Sequence, residues 1–305
     1  MTSRSGQVVA VMGPTASGKT GLAVAMARAL GAELINADSR QAISELAVGV
    51  CKPSPSELGE VVCHGLDWRR LGDRFTVANF VQLAAAQVRD IWARGRLPIL
   101  VGGTGLYIRA LLEGFDFGGD ALVAEAPAPV DPVDAAQALA EIRRVAPARY
   151  LQLDQRNPRR VGRALELARR GRVPARRPGD WTAVRIGCEV GAADLRHRIL
   201  LRSERILGPE LRQEVEDLLQ SGHGRSEIAG AAIGYAEVLG WMSGELTREE
   251  ALREVIRRTW RYARAQMTWL RREPDLVWID ADAEHEALVG RALALVGQRF
   301  GEERG

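Results

Sequence analysis

The run Gly13-Pro14-Thr15-Ala16-Ser17-Gly18-Lys19-Thr20 constrains this chain more than any other segment. It fits G-x-x-x-x-G-K-[ST], a loop whose backbone amides wrap a di- or triphosphate. The context fits as well: Gln7–Met12 reads as a buried strand, and Gly21–Leu30 as a helix. The loop therefore opens a helix N-terminus, where orphan amides and the helix dipole attract anions. Gly13, Thr15, Ala16, Ser17 and Gly18 are expected to line the phosphates, Lys19 to reach the outer ones and Thr20 to ligand Mg²⁺. Composition points the same way. Of 42 basic residues only Lys19 and Lys52 are lysines, and a chain that otherwise uses Arg places Lys where a compact charge suits a phosphate.

The fold class expected is α/β, a doubly wound parallel sheet of the P-loop NTPase kind with a helical insertion and long C-terminal helices. Residues 1–113 alternate strand and helix, with strands at Glu33–Asn36, Val61–Asp67 and Leu97–Val101 and helices at about Val77–Arg94 and Leu106–Leu112. Residues 115 to about 135 are rich in Gly, Ala, Pro and acid and read as a linker, followed by a helical pattern from Ala135 to Arg170. Val184–Val190 then reads as a strand returning to the sheet. This makes 114–182 an insertion and 183–305 a return to the core, with helices over 192–272 and a last strand at Leu276–Asp280. In such sheets ligands sit beyond the carboxyl ends of the strands, where the loop, Asp38 and Thr104 all fall.

Asp38 directly follows a buried strand, as a general base or metal partner would. Asp38-Ser39-Arg40-Gln41 is also a capping box, so pattern alone leaves a structural reading equally open. Thr104, between glycines in Gly102-Gly103-Thr104-Gly105, poses the same choice between ligand contact and helix cap. No acidic residue follows the strand Leu97–Val101, where many P-loop NTPases hold Mg²⁺, which argues against plain ATP hydrolysis.

The stretch 155–177 carries nine Arg, among them Arg159, Arg160 and Arg163, against the single acid Glu166. One-signed charge of this density suits a phosphate backbone, and a pI near 9 agrees with a polyanionic partner. A second stripe, Arg253, Arg257, Arg261 and Arg264, recurs on one helix face with Trp260, Tyr262 and Trp269 interleaved; the two tryptophans read as core. Arg198 and Arg202 lie one helical turn apart, as an anion clamp or as partners of Glu. The four histidines share no metal-ligand spacing. Three dispersed cysteines imply a reducing compartment, no signal peptide precedes the first strand, and no apolar run reaches membrane-spanning length. A cytoplasmic protein with no membrane contact is expected, and a monomer, since no feature demands a partner subunit.

Taken in order, these pieces resemble the tRNA dimethylallyltransferases, which prenylate the adenosine beside the anticodon. The matching runs are Gly13–Thr20, Asp38–Gln41, Gly49 with Lys52-Pro53, Leu100–Tyr107, Asn157–Glu166, Leu195–Arg202, Ala232–Tyr235, and Arg261–Ala263 through Gln266 to Thr268-Trp269. Ile43 stands where that family usually carries an aromatic, Ala236 and Ala265 replace basic residues, and the 115–150 stretch is short. The resemblance implies transfer of a dimethylallyl group from dimethylallyl pyrophosphate to N6 of that adenosine (A37), with Mg²⁺ as cofactor and the tRNA anticodon loop as partner. It implies that Asp38 acts as base, with Thr104 and Lys19 beside it in catalysis. Asp38, Ser39, Arg40, Gln41, Thr104, Arg159, Arg160 and Arg163 would hold the tRNA, and Arg202, seconded by Arg198, the pyrophosphate. The rival readings are prenyl transfer to free adenine nucleotides, a P-loop small-molecule kinase, and an NTP-regulated RNA-binding protein.

Overall fold

The computed structural model describes residues 6–115, 134–171, 179 and 181–302. Within them β1 (Gln7–Met12), β2 (Glu33–Asn36), β3 (Cys63–His64), β4 (Pro98–Gly102), β5 (Thr182–Glu189) and β6 (Leu276–Asp280) form one sheet. All neighbours are parallel, in the order β3-β2-β4-β1-β5-β6. The chain fills one side of β1 with β4, β2 and β3 and the other with β5 and β6. The topological switch therefore falls at β1, where the phosphate loop leaves the sheet. The expected α/β architecture is the observed one.

Alternation along β1 divides its side chains between two cores. Val9 and Val11 join Leu34, Ile99 and Ile186 under α1 (Lys19–Leu30). Val8, Ala10 and Met12 face the other way with Ile35 and Leu100, under α3 (Val77–Ala93) and α4 (Gly105–Leu112). The short α2 (Pro55–Leu58) lies between β2 and β3, and α5 (Ala135–Val145), α6 (Pro147–Gln152) and α7 (Pro158–Arg169) bury a small cluster of their own around Ile142 and Val161. After β5 come α8 (Ala192–Ile206), α9 (Pro209–Gln220), α10 (Arg225–Ala231), α11 (Tyr235–Met242) and α12 (Arg248–Leu270), and β6 is followed by α13 (His285–Glu302). The helices α9 to α11 build a further core around the fully buried Tyr235. Helix α12 runs along all three large cores, giving Val255 to one, Ala263 to the next and Leu270 to the third.

Two sequence expectations change. The strand expected over Val61–Asp67 pairs only at Cys63 and His64, because Gly65 turns the backbone away at φ 86° and Asn36 takes the Gly65 carbonyl. The capping box at Asp38–Gln41 caps no helix: the segment is a series of turns, and the Gln41 amide donates to the carbonyls of Val50 and Cys51 instead. The linker read over 115 to about 135 falls outside the described residues, apart from its margins.

Buried Glu33 ties β2 to the end of α3. Its carboxylate accepts from Arg94 at 2.9 and 2.7 Å, from Arg96 at 3.3 Å, and meets His64 at 2.7 Å. The Arg94 bonds lead in holding its pKa down at about 2, with His64 adding to them. A carboxyl depressed from 4.5 to about 2 on folding contributes stability that is full above pH 4.5 and lost as pH falls towards 2. Glu33→Gln is expected to lower stability by about 2 kcal/mol at pH 7 and to remove that acid-side slope, read by thermal melts between pH 7 and 3.

Candidate functional site

The phosphate loop is set by backbone conformation. Ala16 and Gly18 sit in the left-handed region at φ 65° and 82°, and the Ser17 amide closes the turn on the Pro14 carbonyl at 3.2 Å. A non-glycine residue held at positive φ is strained, and such strain persists where a site requires it. Gly18 occupies the N-cap of α1 with no side-chain cap, and the first turn has no acid, so the orphan amides face the loop's concavity. The Ser17 hydroxyl is buried without a hydrogen-bond partner. A buried orphan of this kind is what a bound ligand oxygen would satisfy.

Lys19 is half-buried and donates to the Pro14 carbonyl at 3.2 Å. Burial pushes its pKa down; Asp38 pulls it back up, and Arg202 pushes it down again. Lys19 therefore shares one electrostatic environment with both. Arg202 forms no ion pair among the described residues and lines the cavity described below. Arg198 reaches the Ser17 carbonyl at 3.5 Å, but its other nitrogen is committed to Asp282 at 2.8 Å and to the Ala281 carbonyl. Of the two expected clamp residues, Arg202 is the available one.

Asp38 is aimed by the residue before last. The Asn36 side chain accepts from the Asp38 amide at 3.0 Å and donates to its carbonyl at 3.1 Å. One carboxylate oxygen accepts from the Arg40 amide at 2.9 Å, and the other holds no hydrogen bond among the described residues. Half of the carboxylate is thus structural and half remains open. Thr104 stands at the N-cap of α4 but does not cap it; its hydroxyl accepts from the Ser39 amide at 3.1 Å and donates to the Ser39 hydroxyl at 3.5 Å. The two loops are thereby knitted into one wall.

A cavity of about 220 Å³ opens where the loops meet the helices. Thr15, Asp38 and Arg40 border it from the sheet edge, Arg202 and Ile206 from α8, and Ile233 and Tyr262 from the helical layer. Thr15 of the phosphate loop and Asp38 thus border one space.

Several supporting residues escape sequence reasoning. Gln266 of α12 accepts from the Thr15 amide at 2.8 Å and donates to the Gly103 carbonyl at 3.0 Å, which pins the phosphate loop to the Gly-rich loop. Trp269 lies on Gly105 so closely that no side chain fits there. Glu214 accepts from the amides of Ala47, Val48 and Gly49 and from the Tyr235 hydroxyl, holding the loop that supplies Gly49 and Val50 to the cavity. Arg69 donates to the Ser39 carbonyl at 3.3 Å. A buried Gln near the end of a polar helix is the one signal the sequence offers for any of these, and its partners lie far off in sequence.

Two charge expectations change. Lys52 is no phosphate ligand: its ammonium bonds the Ile43 carbonyl at 2.7 Å and Asp67 at 2.8 Å, bracing the turn after Asp38. The basic run of α7 is not one-signed in space. Arg160 reaches Asp154 at 3.5 Å, Arg163 meets Glu166 at 2.7 Å, and Arg169 pairs with Glu141, an acid 28 residues earlier. The Arg159 side chain lies outside the described residues, but Arg253, Arg257, Arg261 and Arg264 are exposed along α12, with Arg257 paired to Glu254. Trp260 packs against the main core under the Arg196 guanidinium, 4.7 Å from its ring.

The sequence profile of a family described as IPP transferase matches residues 41–273. The chain belongs to this family. It is 39% identical over 299 residues to the tRNA dimethylallyltransferase of Salinispora tropica, covering 96% of this chain and 93% of that protein. It is 40% identical over 304 residues to the tRNA dimethylallyltransferase of Anaeromyxobacter dehalogenans strain 2CP-C, covering 93% and 98%. Its structure is similar to that of the full-length tRNA isopentenylpyrophosphate transferase of Bacillus halodurans, with a TM-score of 0.71, 28% identity, and 98% and 100% of the two chains covered. The family profile begins after the phosphate loop, so that loop's reading stands on its own geometry.

Proposed function

We infer that the protein transfers a prenyl group to tRNA, and specifically a dimethylallyl group from dimethylallyl pyrophosphate to N6 of the adenosine next to the anticodon, releasing pyrophosphate. The observation that carries this reading is a shared neighbourhood: Thr15 of the phosphate loop, Arg202 and the half-free Asp38 carboxylate border one cavity, and Lys19 feels the charges of both Asp38 and Arg202. In the reaction the allylic C–O bond breaks, its electron pair leaves with the diphosphate, and the N6 lone pair forms the new N–C bond.

Each group answers one demand of that chemistry. Negative charge grows on the departing diphosphate. The loop amides not already bonded within the protein, as those of Thr15 and Ser17 are, stabilise it together with the Lys19 ammonium and Arg202. The counter-charge the diphosphate brings offsets the burial and the Arg202 repulsion that depress the Lys19 pKa. The N6 lone pair is delocalised into the purine, so removal of its proton during attack helps; the open oxygen of Asp38 accepts it. Thr104, joined to Ser39, and the turn Ser39–Gln41 hold the base edge at that oxygen. An adenosine inside an anticodon loop reaches such a cavity only by leaving its stack.

The residues fit a magnesium ion carried by the substrate. Thr20 offers a hydroxyl in the first turn of α1, three residues after the orphan Ser17 oxygen, and among the described residues no three His, Cys, Asp or Glu side chains converge to hold an ion alone. When bound there, Mg²⁺ would neutralise charge on the leaving diphosphate.

We assign the grip on the tRNA backbone to the insertion, 114–182, with Arg159, Arg160 and Arg163 on α7. The acids beside Arg160 and Arg163 are exposed or half-exposed, so a phosphate can compete for these two guanidinium groups. Charge-neutral Arg160→Gln with Arg163→Gln is expected to weaken tRNA binding and to reduce the slope of log Kd against log salt by about one to two. An unchanged slope would remove α7 from the interface.

The direct test of the activity is purified protein with Mg²⁺ and dimethylallyl pyrophosphate, offered tRNA or AMP, followed by nucleoside mass spectrometry. Dimethylallyladenosine in the tRNA and none on AMP is expected. Product on AMP alone, or ATP turnover with no prenylated nucleoside, contradicts the reading.

A further inference from the structure

An adenine drawn out of the anticodon loop loses its stacking neighbours, and a site that holds it has to supply a π-face in return. Among the described residues that line the cavity, Tyr262 is the one aromatic. It belongs to the inner face of α12: Val255, Thr259 and Tyr262 border the cavity at helical spacing, and Gln266, one turn further, pins the phosphate loop. The ring therefore sits one helical turn from the anion cradle, on a helix anchored to that cradle.

Tyr262 also differs from the core tyrosines in its exposure. It keeps 39% of its surface exposed, whereas Tyr107 and Tyr235 are buried. No aromatic ring pairs with it among the described residues, so its face is open to a ligand in the cavity. Its surroundings are those of the proposed reaction. Burial, then Asp38, push the phenol up to about 12, while Arg40 opposes them, so the ring stands near both residues and stays neutral.

Resting on the adenosine reading above, we propose that Tyr262 is the platform on which the target adenine stacks, presenting N6 to Asp38. The ring acts by its face, as a positioning residue, with no proton or bond passing through it. The hydroxyl is dispensable on this account.

The test uses the full-length protein and an anticodon stem-loop RNA carrying 2-aminopurine at the target position, together with steady-state kinetics on unmodified tRNA. Wild type and Tyr262→Phe are expected to bind the probe with its fluorescence kept low by stacking. Tyr262→Ala, and Tyr262→Leu, which retains bulk without a π-face, are expected to leave the probe severalfold brighter. They should raise KM for tRNA by about tenfold with KM for dimethylallyl pyrophosphate within about twofold of wild type. Melting temperatures near wild type exclude a folding defect in whichever of the two small variants is interpreted. The proposal is overturned if both variants keep the probe dark, if the pyrophosphate KM rises in place of the tRNA KM, or if Phe is as damaging as Ala. Those results would leave wild-type prenyl transfer intact and so would not touch the functional reading. Failure of the wild type to prenylate tRNA would sink both.

Discussion

Asp38→Ala is expected to slow prenyl transfer about 10³-fold in single turnover while tRNA Kd stays within about threefold. The size follows from what positioned general bases contribute, roughly 10²–10⁴. The separation of rate from binding follows from the local geometry. The turn that carries Asp38 is fixed mainly by Asn36, by the Thr104–Ser39 bond and by Arg69, none of which the substitution removes. One bond is lost, from the Arg40 amide to the carboxylate. Asp38→Asn keeps an acceptor for that amide and loses the base, so it should be nearly as slow as Ala. A variant in which tRNA binding falls as far as the rate would make Asp38 a structural residue.

Lys19→Ala is expected to lower kcat/KM for dimethylallyl pyrophosphate by about 10²–10³, the usual cost of removing one donor that stabilises developing anionic charge. The effect should divide between KM and kcat, because diphosphate is bound in the ground state and gains charge as the C–O bond breaks. Arg should rescue poorly. The Lys19 ammonium sits half-buried under the Pro14 carbonyl with Arg202 already pressing on it, and a planar guanidinium has neither the room nor the point-charge geometry. Unchanged kinetics in Lys19→Ala would exclude the loop from diphosphate binding. Rates for Asp38→Ala and Lys19→Ala together should fall less than the product of the single effects, since the two charges act on one reacting centre.

Local signals were legible in this sequence, and long-range ones were not. Strands β1, β2 and β6 fall where their apolar residues place them: β1 and β2 are buried on both faces, and β6, at the sheet edge, keeps Val277 exposed. The strand–loop–helix shape around residues 13–20 was legible because its pattern is contained in consecutive residues. Asp38–Gln41 was ambiguous in sequence, since a helix-capping box and a ligand-facing turn use the same residue types, and no helix follows it. The contacts that decide between them come from Asn36, Thr104 and Cys51, and spacing cannot show them. The basic run of α7 misled for a related reason: its charge looked unopposed in sequence, but Glu141 approaches it in space from α5. Gln266 is the extreme case, serving a loop 251 residues away. Lys52 shared its rarity with Lys19 and proved to brace a turn, so composition identified one phosphate ligand candidate and one structural residue without telling them apart.

The central claim is that the residue 13–20 cradle and the open oxygen of Asp38 act on one reacting pair. The most direct measurement is a crystal structure of the protein with Mg²⁺, an anticodon stem-loop RNA and an unreactive thio analogue of dimethylallyl pyrophosphate. The account predicts the diphosphate on the amides of residues 13–20 and on Lys19, with the target N6 within hydrogen-bond reach of Asp38 and facing the allylic carbon. Diphosphate in the cradle with the adenosine bound in another pocket, its N6 out of reach of Asp38, would contradict it.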